Sequence, residues 1–141
     1  AGLNSIQNKN ISLENLKLKV MEYAASKGRE FFISAEDAEN DVIFGYCRLR
    51  FPSQFLRPEI AEKSALIREL HVYSAAVQIG KKSDESFQHK GVGKSLMKKA
   101  EETAKQNGKN KMIVISGIGA REYFRKLRYE LEGVYMTKAL K

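Results

Sequence analysis

Two glycines one residue apart stand in the run Gln88-His89-Lys90-Gly91-Val92-Gly93-Lys94-Ser95, directly before the strongest helical pattern of the chain. Glycine there lets the backbone bend and approach a ligand closely, and a helix beginning at this point presents unpaired N–H groups with a partial positive charge. Such a helix end is expected to bind an anion, and Lys90, Lys94 and Lys98 add mobile charge for further phosphates. The run is not a P-loop, because the first glycine of that motif would fall at Gln88 and the polar segment Lys82 to Ser86 stands where an apolar strand should lead in. It is not a dinucleotide fingerprint either, since the third glycine would fall at Leu96.

A second group of candidates lies on Ile67-Arg68-Glu69-Leu70-His71-Val72-Tyr73, which reads as a strand. Alternation puts Glu69, His71 and Tyr73 on one face and Arg68, Leu70 and Val72 on the other. Ionisable side chains on a core strand are costly unless paired or solvated, so the Glu69 and His71 face is expected to border a cleft, with ion pairing or plain exposure as the equal alternative. Farther along, Arg121, Tyr123, Arg125 and Lys126 offer aromatic and cationic groups, some of which can turn toward that cleft.

Positioning these residues requires an α/β frame. Leu16, Leu18 and Val20 alternate with Lys17, Lys19 and Met21, the period of a half-buried strand. Glu30 to Ser34 and Val42 to Phe51 read as hairpin strands joined by the acidic segment Ala35 to Asp41, and Pro52 and Pro58 flank a short irregular stretch. After the strand Ala65 to Tyr73, the polar segment Ser74 to Phe87 reads as a loop leading to the glycines. Val92, Leu96, Ala100, Thr103 and Ala104 then recur at helical spacing as far as Asn107, with Gly108 as the stop. Met112 to Ile115 is apolar throughout, as a strand buried on both faces requires. A short helix from Ala120 to Leu127 and strands at Tyr129 to Leu131 and Val134 to Leu140, turning at Gly133, complete the order. The strand-helix-strand unit over residues 65–116 should open a ligand pocket where its helix starts, near the carboxyl edge of the first strand.

A chain of 141 residues, 43% hydrophobic and 30% charged, fits one folded domain, here expected over residues 14–141 after a loose lead-in at 1–13. No apolar run spans a membrane and no signal peptide is apparent, which makes a soluble cytoplasmic domain the expectation. Cys47 is the only cysteine, so neither an internal disulfide nor a cysteine-ligated metal cluster is available within this sequence, no metal is expected, and the residue reads as a small buried hydrophobe. Residues 1–80 hold ten basic and ten acidic side chains, whereas residues 81–141 hold fifteen and seven. The whole excess of positive charge therefore lies in the second part, which should attract polyanions such as a nucleotide cofactor or RNA.

Taken together, Gln88-His89-Lys90-Gly91-Val92-Gly93 resembles the Q-x-x-G-x-G signature of the GNAT acetyltransferases. More specifically, Arg68 to Tyr73, Phe87-Gln88-His89, Val114 to Gly117 and Tyr123 to Leu127 resemble the carboxyl-terminal domain of the Elongator catalytic subunit family, over about Leu16 to Lys138. The resemblance implies a mixed, mostly antiparallel sheet around a central strand-helix-strand unit that binds acetyl-CoA, serving wobble-uridine modification in tRNA. It also implies a partner radical-SAM domain, with S-adenosylmethionine and an iron-sulfur cluster, for which this sequence has neither the cysteines nor the length. By position, it implies that Glu69, Leu70, His71 and Val72 lie along the pantetheine arm and that residues Gln88, His89, Lys90, Gly91, Val92, Gly93, Lys94 and Ser95 surround the pyrophosphate. Tyr123 would approach the thioester, and Glu69 or His71 would activate water or an acceptor. The family often has tyrosine where Phe124 stands and favours glycine where Arg128 stands; if that position needs a left-handed backbone, arginine is strained there and brings a cation near the cofactor end. The competing functions are a protein or small-amine N-acetyltransferase using the same cofactor and a catalytically silent RNA-binding module.

Overall fold

Period-two alternation becomes strands throughout the first half of the chain, and the 3.6-residue apolar stripe becomes one long helix. The structure, a computed structural model, describes residues 16–25, 28–37, 39, 41–52, 63–73, 82–115 and 120–140, with the backbone alone for 25 and 82–90. In chain order the elements are β1 (Lys17–Ala25), β2 (Gly28–Asp37), β3 (Val42–Pro52), β4 (Ser64–Val72), α1 (Lys82–Gln106), β5 (Lys111–Val114), α2 (Arg121–Lys126), β6 (Glu130–Glu132) and β7 (Tyr135–Ala139). They form one seven-stranded sheet in the order β1-β2-β3-β4-β5-β7-β6. Neighbours run antiparallel except β4 and β5, the parallel pair that α1 connects. The lead-in at 1–13 and the irregular stretch around Pro58 lie outside the described residues.

One face of the sheet takes α1. Val92, Leu96, Met97, Ala100 and Ala104 of the helix join Phe31, Ile33, Phe44, Leu49 and Ile67 in a single core cluster. Cys47 is buried in it, its thiol against the Leu96 carbonyl at 3.9 Å, and burial pushes its pKa up to about 12. The thiol is therefore an inert core group, as its place in a strand suggested. Met112, Ile113 and Val114 are buried as well, which fits β5's position between β4 and β7.

The opposite face carries the polar side chains of β1 to β4, and its most buried charge is Glu30. Tyr23 Oη donates to its carboxylate at 2.8 Å, Arg68 Nη1 at 2.7 Å and Arg50 Nη1 at 3.1 Å. Burial alone would raise the Glu30 pKa, but the hydrogen bonds from Tyr23, Arg68 and Arg50 outweigh it and bring the value down from 4.5 to about 2. A depressed carboxylate stabilises the fold fully above its unfolded pKa and loses that contribution as pH falls through the folded one. Glu30→Gln is therefore expected to cost about 2 kcal/mol at neutral pH. The difference from the parent should shrink between about pH 4.5 and 2. Urea melts across that range check it, and a pH-independent gap would contradict it. Arg68 reaches this face because the β3–β4 register slips between Arg48 and Leu49, pairing Glu69 and then Ile67. Simple alternation had put Arg68 with Leu70; the bulge leaves it without a Cα partner and turns it to the Glu30 side.

Both helices end in the same way. After α1, Gly108 has φ +80° while its N–H bonds to Lys105 O and that of Lys109 to Ala104 O, each at 3.0 Å. After α2, Arg128 has φ +75°, its N–H bonds to Arg125 O and that of Tyr129 to Phe124 O, again at 3.0 Å, with the Phe124 and Tyr129 rings 5.9 Å apart. This paired arrangement places a left-handed residue just past the helix, where glycine fits and arginine is strained. The condition set on the Arg128 position, a left-handed backbone, is thus met. Arg128 lines a groove of about 880 Å³ with Glu101, Lys105, Lys111 and Lys138, beside the first residue of β5. Arg128→Gly is expected to stabilise the domain by about 1 kcal/mol, a rise in Tm of about 3 °C. An unchanged Tm in a thermal scan would show that the strain is relaxed elsewhere.

The start of α1 differs from the sequence expectation. The helix begins at Lys82 and runs through Gly91 and Gly93, neither of which has positive φ. No glycine or proline interrupts residues 82–90, so nothing stops the helix from extending back from its packed part. The main-chain N–H groups of residues 91–94 are consequently used inside a helix, and the free amide cluster expected at the glycines is absent.

Candidate active site

Among the described residues the pairing of the two central strands stops partway along β4, and the candidate site lies where it stops. β5 pairs with β4 only over Ser64 to Ile67, and the last link is Ile115 N–H to Ile67 O at 3.3 Å. β4 continues to Val72 held by β3 alone, through Cys47 opposite Leu70, Gly45 opposite Val72 and Tyr73 N–H donating to Phe44 O at 2.8 Å. Because the direction of main-chain groups alternates along a strand, those of Glu69, His71 and Tyr73 turn toward β3. Those of Leu70 and Val72 turn to the other side, beyond the end of the described β5 pairing. Among the described residues no strand pairs with this edge.

Three candidates predicted far apart in sequence meet beside the open edge. A Cβ on Gly93 would fall inside contact distance of the Tyr123 hydroxyl and 3.7 Å from Val72 Cγ2, so the bare glycine is the notch that the phenol occupies. Tyr123 is half-buried, and burial raises its pKa, which keeps the hydroxyl protonated at neutral pH. Phe124 packs edge-on against it at 5.2 Å and is itself buried, a place where a second hydroxyl would need a partner. Arg121 Nε is buried without a hydrogen-bond partner among the described residues, an unspent donor in the same short helix.

Other candidates are distributed differently. Val92 is a core side chain, its Cγ1 set against the backbone position of Gly45. Gly91 and Ser95 are half-buried on α1 and Lys94 is exposed. The side chains of Gln88, His89 and Lys90 lie outside the described residues. Glu69 and His71 project from the face opposite α1, whereas Leu70, Val72 and Tyr123 pack against the core on the α1 side. The structure therefore does not gather Tyr123, Glu69 and His71 into one cluster; β4 stands between them. Glu69 is exposed, accepts from Tyr46 Oη at 2.8 Å and lies 3.8 Å from Arg48 Nη1. That hydrogen bond holds the Tyr46 phenol above its ordinary pKa. Tyr46 and Gly45 were not singled out from sequence; a glycine inside an apolar strand was the available sign of a close backbone approach.

The family model for the acetyltransferase (GNAT) family matches residues 7–129. The chain belongs to the GNAT acetyltransferase family. Among curated GNAT relatives, the tRNA uridine(34) acetyltransferase of Methanocaldococcus infernus is 46% identical over 129 residues, 90% of this chain and 24% of the relative. Elongator complex protein 3 of Dictyostelium discoideum is 42% identical over 141 residues, 99% of this chain and 25% of the relative. The solved structure of the archaeal M. infernus Elp3 with its N-terminus deleted superposes with a TM-score of 0.78 at 42% identity, covering 92% of this chain and 31% of that one. Tetrahymena GCN5, 14% identical with a TM-score of 0.53, shares the fold, covering 83% of this chain and 71% of that one. The chain spans about a quarter of the length of the curated relatives it matches. The mixed, mostly antiparallel sheet with its strand-helix-strand unit is thus the GNAT fold. Among the described residues no helix is long and apolar enough to cross a membrane.

Proposed function

We propose that this GNAT domain binds acetyl-CoA along the open edge of β4 and releases the acetyl group beside Tyr123, within an enzyme that modifies the wobble uridine of tRNA. The observation that carries the reading is the convergence of a strand edge lacking a described partner at Leu70 and Val72 with the phenol seated in the Gly93 notch. Main-chain N–H and C=O groups at Leu70 and Val72 are suited to the amides of a pantetheine arm lying as an extra strand. The residues fit an arm of that kind, and acetyl-CoA supplies the activated thioester. Tyr123, held protonated by burial, donates its proton to the departing sulfur. Glu69 or His71, on the other face of β4, draws the proton from water or an acceptor arriving from that side.

The diphosphate is met by residues 88–95 through side chains such as Lys94 and Ser95, and by Gln88, His89 and Lys90, since the helix already uses the main chain at 91–94. The tRNA substrate is inferred from the relative at 46% identity. Chemistry that needs S-adenosylmethionine and an iron-sulfur cluster belongs to a radical-SAM domain of the same enzyme. Tyr123→Phe is expected to lower thiol release from acetyl-CoA about 10²-fold. Calorimetry should show acetyl-CoA affinity kept within a few-fold, and tRNA should accelerate thiol release by the parent. Acceleration by peptides or polyamines but not tRNA would favour an N-acetyltransferase, and no affinity for acetyl-CoA would leave only an RNA-binding module.

A further inference from the structure

The sheet face opposite α1 carries a row of rings that the acetyl chemistry leaves unused apart from His71. Phe32 and Tyr46 stack with centroids 5.0 Å apart and planes at 24°, and Tyr46 and His71 follow at 5.7 Å and 25°. Tyr73 meets His71 edge-on at 4.5 Å and lies 6.1 Å from Tyr46. His71 is exposed and the other three rings are half-buried. The buried side chains of α1 and α2 join the cluster on the other side of the sheet, so among the described residues no helix covers this row.

The surroundings point to the chemistry of the occupant. Register places Lys17, Lys19, Arg48 and Arg50 on the same face, and the bulge adds Arg68, against the carboxylates of Glu30, Glu36 and Glu69. Arg48 and Arg68 keep roughly half of their side chains in water, at 43% and 51% exposure, so their remaining donors are accessible. The near-parallel rings of Phe32, Tyr46 and His71 suit flat partners, and every nucleobase has a π face. A duplex hides those faces; an unpaired base does not. Flanking guanidinium groups supply phosphate contacts at the same time. The row also ends on β4, where His71 and Tyr73 share the face with Glu69, so a base stacked there is delivered to the far side of the open β4 edge.

We propose that this face docks unpaired RNA nucleotides, a base stacking on the Tyr46 and His71 rings with Tyr73 against its edge, while Arg48 and Arg68 meet the adjoining phosphates. The proposal rests on the tRNA reading above and gives that reading its acceptor surface.

Fluorescence anisotropy of this chain with labelled pentauridylate, and with a blunt RNA duplex as comparison, tests it. Tyr46→Leu and Tyr73→Leu should each weaken pentauridylate binding about tenfold, whereas Tyr46→Phe, which keeps the ring, should stay within about twofold. Arg48→Ala and Arg68→Ala should each reduce the salt dependence of binding. Circular dichroism melts establish that each variant is folded, and Tyr46→Phe guards against a loss due to misfolding. Equal losses for Tyr46→Phe and Tyr46→Leu, equal sensitivity of duplex binding, or unchanged affinity in both leucine variants would each overturn the proposal. So would a self-associated chain that Tyr73→Leu disperses, because the face would then pair with a second copy. Acetyl-CoA binding by the parent is read separately: a chain that binds the cofactor but not pentauridylate loses only this inference, and one that binds no cofactor loses the reading beneath it.

Discussion

Gly45→Ala is expected to destabilise the domain by about 2–3 kcal/mol and to weaken acetyl-CoA binding at least tenfold. A Cβ there would lie 2.7 Å from His71 O and 3.1 Å from Val72 Cα, both main-chain atoms of β4. A crowded side chain can rotate away, but these atoms can give way only if β3 and β4 part at the Gly45–Val72 pair. That movement tilts the strand segment whose free groups at Leu70 and Val72 are proposed to receive the pantetheine arm. Gly28→Ala is the matched comparison, since its Cβ would meet Phe51 O at 2.8 Å near the other end of β3. Loss of stability without loss of cofactor affinity is expected there. Thermal melts and calorimetry on the two variants separate the effects, and equal cofactor affinity for Gly45→Ala and Gly28→Ala would contradict the placement of the site.

Gly93→Ala should lower kcat/KM for acetyl release by about 100-fold, the effect expected when a reacting group is displaced by roughly an ångström. Alanine in a helix interior ordinarily gains up to about 1 kcal/mol over glycine. Here the added methyl runs into the Tyr123 hydroxyl. Removing that oxygen takes away the worst contact and leaves Cζ 3.3 Å from the new Cβ: in a Tyr123→Phe background, Gly93→Ala is expected to be close to neutral in stability and to cause little further loss of activity. The coupling between the two substitutions reports whether the notch and the phenol act together. Additive losses in the cycle would mean that Gly93 serves something other than Tyr123.

These two glycines also mark how far the sequence could be read. Gly93 stood out because of its spacing from Gly91, but the reason assigned to it was a bend at a helix start. In the fold it sits in the middle of α1, and its use is close packing against Tyr123 and Val72. Helical periodicity shows where a helix must pack, from Val92 onward, and is silent about how far a polar segment extends it backward. The strands were legible because one face of each is buried: the alternation around Leu18 and the apolar β5 appear as expected, and the β2–β3 hairpin forms, with Ala35, Glu36 and Asp37 of its expected connection paired in β2 instead. The bulge beside Arg48 was not, since a register slip depends on the partner strand and leaves no local pattern. For the same reason Arg68 was placed on the wrong face, and the division of Glu69 and His71 from Tyr123 by β4 went unseen. The glycine preference at Arg128 raised a left-handed backbone as a condition only, and its location beside the groove near the start of β5 depends on packing that adjacent residues do not encode.

Amide hydrogen exchange at Leu70 and Val72, followed by NMR with and without saturating CoA, examines the strand edge itself. The account predicts that both amides exchange markedly more slowly once CoA is added. Those of His71 and Tyr73, whose groups already face β3, should change little. Unaltered exchange at Leu70 and Val72 in a chain shown to have bound CoA would contradict it.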